Sequence, residues 1–94
     1  MHARITRYKM KPASTEAATK LLNELKSEIM ALPGIRHFYN VMDENGAGYV
    51  ISFIEPSEVA SDSPERVKAI WAKFGDMLEA MPTPETYGVI ADWS

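Results

Sequence analysis

Two apolar segments separated by a short polar turn constrain the fold of this chain more than any other feature. The segments are Ile35–Met42 and residues 48–55, both rich in aromatic and β-branched side chains, and Asp43-Glu44-Asn45-Gly46 lies between them. Such side chains are typical of strands, and Asn-Gly is a strong hairpin signal because a type I′ turn needs a positive φ at both central residues. The sequence therefore predicts an antiparallel hairpin that turns at Asn45-Gly46.

This turn also predicts a register for the two strands. Opposite charges on neighbouring strands stabilise a sheet, and the predicted register brings one such pair together. The paired residues are Met42 with Tyr49, Asn40 with Ile51, Phe38 with Phe53, and the oppositely charged Arg36 with Glu55.

Both faces of the hairpin carry apolar side chains. In its second strand Tyr49, Ile51 and Phe53 share one side, and Val50 and Ile54 share the other. A sheet with water on one side normally alternates apolar and polar residues. Two helices can cover only one face, and the other would be a larger apolar patch than soluble monomers usually expose. We therefore expect a two-fold homodimer that packs through the sheet faces.

The remaining segments supply two helices and two further strands. Prolines, glycines and capping residues mark their ends, and apolar residues three and four apart mark the helices. The predicted elements are a strand at residues 3–10, a helix from Ser14 or Thr15 to Leu32, a helix from Pro64 to Met81 capped by Asp62 or Ser63, and a strand at residues 85–93. The order β-α-β-β-α-β is that of a ferredoxin-like α+β sandwich, and we expect residues 1–94 to form one domain.

The composition excludes several classes of function. A formal net charge of −3 gives no basic surface for nucleic acid, and without cysteine there is no disulfide, thiolate metal site or thiol nucleophile. No histidine stands at metal-ligand spacing from the acidic residues, so no metal is expected. Arg4, Arg7, Lys9 and Lys11 interrupt the N-terminal segment where a signal peptide is apolar, and no run is long enough to span a membrane. We expect a cytoplasmic protein without membrane contact.

The second helix carries an aromatic stripe that has two interpretations. Regular stripes of this kind usually pack in a core. The stripe can also form one wall of a pocket, in which case an apolar cavity should lie between this helix and the sheet. Its members are Trp71 and Phe74, with Val67, Ile70, Leu78 and Met81 on the same face.

Two polar residues of the second strand are candidates for the polar part of such a pocket. His37 could act as a base near neutral pH, or it could be a hydrogen-bonded structural residue. Asn40 could donate a hydrogen bond to a substrate oxyanion. Strand residues three apart point in opposite directions, so only one of these two side chains can face the helices.

Arg4 lies on a strand that the ferredoxin-like order places inside the sheet, where a charge should be paired. One interpretation is an ion pair with a carboxylate such as Glu55 or Asp92. The other is a site for an anion or a phenolate, which the hydroxyl of Tyr8 could join.

Several short motifs accompany the β-α-β-β-α-β order. They are Lys11-Pro12 after the first strand, Leu32-Pro33-Gly34 before the second, Glu55 at the end of the third, and the step from Trp71 to Phe74 in the second helix. With these motifs, essentially the whole chain resembles the dimeric α+β barrel superfamily. Within that superfamily it is most similar to the small antibiotic biosynthesis monooxygenase-like proteins.

The resemblance implies a pocket between helices and sheet in each protomer. It also implies a monooxygenase that oxidises a small electron-rich aromatic, such as a quinol or a polyketide-like compound, without metal or flavin. The related haem-degrading proteins use a first-strand asparagine, a second-helix tryptophan and a later histidine. Only Trp71 matches, because Thr6 and Met81 stand at the other positions. We therefore expect no cofactor, and the alternative is a non-catalytic ligand-binding or purely structural dimer.

Overall fold

A four-stranded antiparallel sheet, backed by helices on one face, forms the framework of the protein. The computed structural model describes all 94 residues. The strands are β1 (His2–Lys9), β2 (Ile35–Met42), β3 (Ala47–Ile54) and β4 (Pro84–Gly88), and the helices are α1 (Thr15–Glu24), α2 (Lys26–Met30) and α3 (Ser63–Ala72). The strand order β2-β3-β1-β4 confirms the ferredoxin-like α+β fold and places β1 inside the sheet.

The β2–β3 hairpin forms, but its predicted register is wrong by one residue. The observed pairs include Asn40 with Val50 and Met42 with Gly48. The turn is not type I′, because Gly46 is its only residue with a positive φ, 91°. The Asp43 carboxylate accepts hydrogen bonds from the amides of Asn45 (2.8 Å) and Ala47 (3.1 Å). This side chain stabilises a wider turn, with aspartate first and glycine fourth as in type I turns.

A bulge near the start of β2 removes the predicted pair of Arg36 with Glu55. The register shifts between Ile35 and His37, so Arg36 has no residue opposite it. Its guanidinium forms an ion pair with Glu58 instead. The bulge also brings Ile35 and Phe38, three residues apart, to the same face of the sheet.

The first predicted helix is divided in two. The amide of Leu25 is shared between the carbonyls of Leu21 and Leu22, at 3.0 and 3.1 Å, and this tightened turn separates α1 from α2. Leu25 and Ile29 are buried beyond the break. The chain then turns at Gly34, which has a φ of 88°.

The second predicted helix ends earlier than the sequence pattern indicates. A 3-10 turn at Gly75–Met77 follows α3, and Leu78 is extended and bridges to Met10. Two backbone hydrogen bonds hold this segment on the chain beside β1. Met81 is therefore 53% exposed, and the prediction that it continues the helical stripe is wrong.

The last strand is shorter than predicted and ends at Gly88 instead of residue 93. Gly88 pairs with His2, the first residue of β1, so β1 offers no further residues for β4 to pair with. The final backbone hydrogen bond runs from the amide of Val89 to the carbonyl of Met1. Ile90 and Trp93, beyond this point, are almost completely exposed.

The two faces of the sheet have different environments. On β3, Val50, Ser52 and Ile54 are buried towards the helices, where the core also contains Tyr8, Phe74 and Ile29. The opposite face, which we call the open face, has no covering element. It carries the partly exposed side chains of Tyr39, Val41, Tyr49, Ile51, Phe53 and Tyr87. None of the helices has the length and apolar character needed to cross a membrane.

Candidate functional site

An apolar cavity of about 160 Å³ lies between the helices and the sheet. Cavities of this size are large enough for an aromatic ring. Fourteen of its nineteen lining residues are hydrophobic, and only one is charged. Its lining includes Arg4, Thr6 and Tyr8 of β1, Phe38 and Asn40 of β2, Ser52 of β3, Trp71 of α3, and Phe74 just beyond the end of α3.

Trp71 and Phe74 form the aromatic wall of this cavity, together with Tyr8. The ring centroid of Trp71 lies 5.8 Å from that of Tyr8 and 6.1 Å from that of Phe74. Phe74 is buried, whereas Trp71 is only partly buried. The helical stripe is thus both core and cavity wall, because Phe74 packs in the core and the Trp71 ring also borders open space.

A hydrogen-bonded pair, Tyr8 and Asn40, lies at one end of the cavity. The hydroxyl of Tyr8 donates to Oδ1 of Asn40 at 2.5 Å and approaches the carbonyl of Val41 at 3.2 Å. Burial, together with the negative charge of Asp43, raises the pKa of Tyr8 above its ordinary value. The hydroxyl is protonated at neutral pH and acts as a proton donor. The amide nitrogen of Asn40 has no acceptor within the protein and can donate to a ligand.

Gly48 makes this pair possible. Strand β3 separates Tyr8 from Asn40, and Gly48 is the β3 residue opposite Tyr8. Because position 48 has no side chain, the Tyr8 ring can cross over the backbone of β3. A Cβ atom there would lie only 2.6 Å from the Tyr8 hydroxyl oxygen.

Arg4 supplies the single charge of the cavity lining. It is partly buried and takes part in no ion pair and no side-chain hydrogen bond. Neither of the predicted carboxylate partners meets it, because Glu55 accepts a hydrogen bond from the Ser57 hydroxyl (3.0 Å) and Asp92 lies in the exposed C-terminal segment. Burial lowers the pKa of Arg4 from its ordinary value, but an arginine remains charged at neutral pH.

Of the six candidate residues, five line the cavity and one does not. His37 lies on the open face, where its ring meets that of Phe53 edge-on with centroids 6.3 Å apart. Asn40 is therefore the residue that faces the helices. Sequence reasoning missed Phe38 and Ser52 as lining residues, because assigning them to this face requires the register and the bulge. No group of three or more metal-ligating side chains converges anywhere in the structure.

Replacing Trp71 by phenylalanine should change ligand binding more than stability. The Trp71 ring borders the cavity and is only partly buried, so we expect a loss of less than about 1 kcal/mol in the free energy of unfolding. Replacing the buried Phe74 by alanine should cost about 3 to 5 kcal/mol. Urea denaturation of both variants measures the difference, and equal losses would show that Trp71 is a core residue only.

Replacing Tyr8 by phenylalanine should make stability less dependent on alkaline pH. A tyrosine whose pKa is raised by folding contributes its full stabilisation at pH values below its pKa in the unfolded chain, about 10. This stabilisation is lost as pH rises through the pKa in the folded protein. The wild-type protein should therefore lose stability more steeply than Tyr8→Phe above about pH 10. Denaturation between neutral and alkaline pH tests this, and parallel curves would contradict it. At neutral pH the variant should lose about 1 kcal/mol with its hydrogen bond.

Comparisons with known proteins identify the fold. The chain is similar to a candidate antibiotic biosynthesis monooxygenase from Nitrosomonas europaea, with a TM-score of 0.73, 12% identity, and coverage of 95% of this chain and 89% of that one. A second such protein, from Caulobacter crescentus, has a TM-score of 0.70, 17% identity, and coverage of 96% and 90%. L-rhamnose mutarotase from Formosa agariphila has a TM-score of 0.64, 14% identity, and coverage of 98% of each chain. No family model and no curated protein matches the sequence.

Proposed function

From the antibiotic biosynthesis monooxygenase-like fold of the dimeric α+β barrel superfamily, which this chain adopts, we propose a cofactor-independent monooxygenase. Its substrate is a small electron-rich aromatic, such as a quinol or a polyketide-like compound. One observation carries the proposal: an apolar cavity bordered by the rings of Trp71, Phe74 and Tyr8 has the free amide donor of Asn40 in its lining. Pockets for flat ligands combine apolar walls with few polar groups in this way.

In the proposed reaction the substrate supplies the electrons for oxygen. A quinol gives up two electrons and two protons and becomes a quinone. One atom of dioxygen is inserted into a ring C–H bond, and the other leaves as water with the two protons. The Asn40 amide would donate to the substrate oxygen as negative charge develops on it, and the apolar walls would exclude water and strengthen that hydrogen bond.

The same fold also occurs in a mutarotase, so the fold alone does not select the reaction. Mutarotation needs groups that give and take protons at a sugar ring. The cavity lining contains no carboxylate and no imidazole, and most of it is apolar. These features favour an aromatic ligand over a sugar.

Oxygen uptake with a panel of hydroquinones tests the proposal. We expect uptake with at least one of them, a reduction of about tenfold or more in the Asn40→Leu variant, and normal uptake in Asn23→Leu. The control removes an exposed amide from α1, far from the lining of the cavity. Binding of hydroquinones in a thermal-shift screen without oxygen uptake would indicate a ligand carrier. If neither binding nor uptake is observed, a purely structural dimer is the remaining interpretation.

We also propose that a second copy of the chain covers the open face. Tyr39, Val41, Tyr49 and Tyr87 are each about half exposed there in the single chain. The edge-on contacts of Phe53 with His37 and Tyr39 arrange this face as one aromatic surface. Burial of such a surface by an identical one explains why the strands are apolar on both sides.

A further inference from the structure

Arg4 is a charged group in surroundings that do not compensate its charge. A guanidinium has five N–H donors, and those of Arg4 meet no carboxylate within the chain. No other charged side chain lines the cavity. Partial burial of an unpaired charge costs stability, as the lowered pKa of Arg4 also indicates. Such a cost is expected where the charge acts on a ligand.

A second polar group lies at the same end of the cavity. Arg4 and Ser63 both line a small recess of about 10 Å³ beside the main cavity, at the first turn of α3. The hydroxyl oxygen of Ser63 is the one buried side-chain polar atom without a hydrogen-bond partner, and the residue is only 3% exposed. The recess has room for about one water molecule, so a larger anionic group would remain in the main cavity, against Arg4.

Arg4 and Asn40 lie far enough apart to contact opposite ends of one ring-sized ligand. Asn40 pairs through Val50 with Thr6, and Arg4 is two residues further along β1 on the same face. From a strand spacing of about 4.8 Å and a rise of about 3.3 Å per residue, their backbones are roughly 12 Å apart. The aromatic wall of Trp71 and Phe74 borders the same cavity.

We propose that the ligand of this cavity carries an anionic oxygen group, a carboxylate or a phenolate, which pairs with Arg4 while its ring contacts Trp71. This inference rests on the proposed function and narrows its substrate class to acidic aromatics. The Arg4 fork can donate two parallel hydrogen bonds to a carboxylate. The open face of the sheet is on the other side of β1, so a partner packed there would not reach the Arg4 side chain.

Binding of two matched hydroquinones by isothermal titration calorimetry tests the inference. Gentisate carries a ring carboxylate, and gentisamide replaces it with a neutral amide of the same shape. Wild-type protein should bind gentisate about ten to one hundred times more tightly than gentisamide. Arg4→Met should lose this preference. Lys68→Met, which removes one exposed charge from α3, should keep it and controls for net charge.

The stability of the unliganded variants gives a second measurement. A methionine at position 4 has a similar reach and no charge, so Arg4→Met should melt at a higher temperature than wild type. A lower melting temperature would mean that Arg4 stabilises the fold by pairing, and it would overturn the inference.

Each binding result has one meaning. Equal affinity of the wild type for both compounds, with no tighter binding of unsubstituted hydroquinone at alkaline pH, overturns the inference and leaves the oxygenase proposal standing. A preference for gentisate that survives in Arg4→Met does the same. Tight gentisate binding through Arg4, without oxygen uptake from any hydroquinone of the panel, supports the inference and overturns the oxygenase proposal. Binding of neither compound overturns the inference. A preference for unsubstituted hydroquinone at alkaline pH, where it is a phenolate, over neutral pH would identify the phenolate as the anionic group.

Discussion

Replacing Phe53 by aspartate should convert the proposed homodimer into a monomer. Phe53 lies on β3, an interior strand, and its ring is flanked by His37 and Tyr39, with centroid distances of 6.3 and 6.2 Å. A second copy packed on this face would bury the aspartate without a partner, at a cost of roughly 3 kcal/mol or more. The dimer dissociation constant should therefore rise by about a hundredfold or more. Sedimentation velocity at micromolar concentration measures this change.

The matched control for this variant is Ser27→Asp. Ser27 is exposed on α2, on the helix side of the sheet, so the same charge there should leave the dimer intact. Far-UV circular dichroism of both variants checks that the fold is retained. A wild-type protein that sediments as a monomer, or a Phe53→Asp protein that stays dimeric, would show that the open face does not mediate dimerisation.

Replacing Gly48 by alanine should destabilise the protein by about 3 kcal/mol. The added Cβ would lie 2.6 Å from the hydroxyl oxygen and 2.8 Å from Cζ of Tyr8, and closer still to the carbonyl oxygen of Val41. The Tyr8 ring is buried in the core and the Val41 carbonyl belongs to the neighbouring strand, so neither can move away easily. We expect the ring to shift and its hydrogen bond to Asn40 to break.

Urea denaturation at one fixed protein concentration measures this loss, since the stability of the proposed dimer would depend on concentration. Gly88→Ala is the control, because a Cβ at position 88 has nothing within 4 Å. It should change stability by less than about 0.5 kcal/mol. Equal stability of the two variants would show that Tyr8 does not pack closely on β3 at position 48.

The order of the strands and helices could be predicted because periodicity and breakers are local properties of the sequence. The two-sided apolar pattern of β3 is local too, and the structure places Val50 and Phe53 on opposite faces. The ends of the helices and strands were harder to predict, because they depend on contacts with residues far away in the sequence. The end of the second helix depends on the bridge between Leu78 and Met10, and the end of β4 depends on where β1 begins.

The orientation of the candidate site residues depended on details that sequence patterns do not contain. The choice between His37 and Asn40 follows from the face that β2 turns to the helices. The register of that strand depends on the Asp43 carboxylate and on Gly46 as the only turn residue with a positive φ. The lack of a partner for Arg4 could not be foreseen either. Glu55 directly follows β3, the strand that pairs with β1, but its carboxylate bonds to Ser57.

Alternation along β3 means that neighbouring residues of one strand are subject to separate selection. Val50 and Ser52 border the cavity, while Ile51 and Phe53 belong to the open face. With the proposed ligand and the proposed second copy, a substitution at one of these positions would alter either ligand preference or subunit association, and the adjacent position could change without affecting the same property. On these two proposals, a lineage with this fold could acquire a new ligand while keeping its subunit contacts, which is consistent with one architecture carrying proteins named for unrelated reactions.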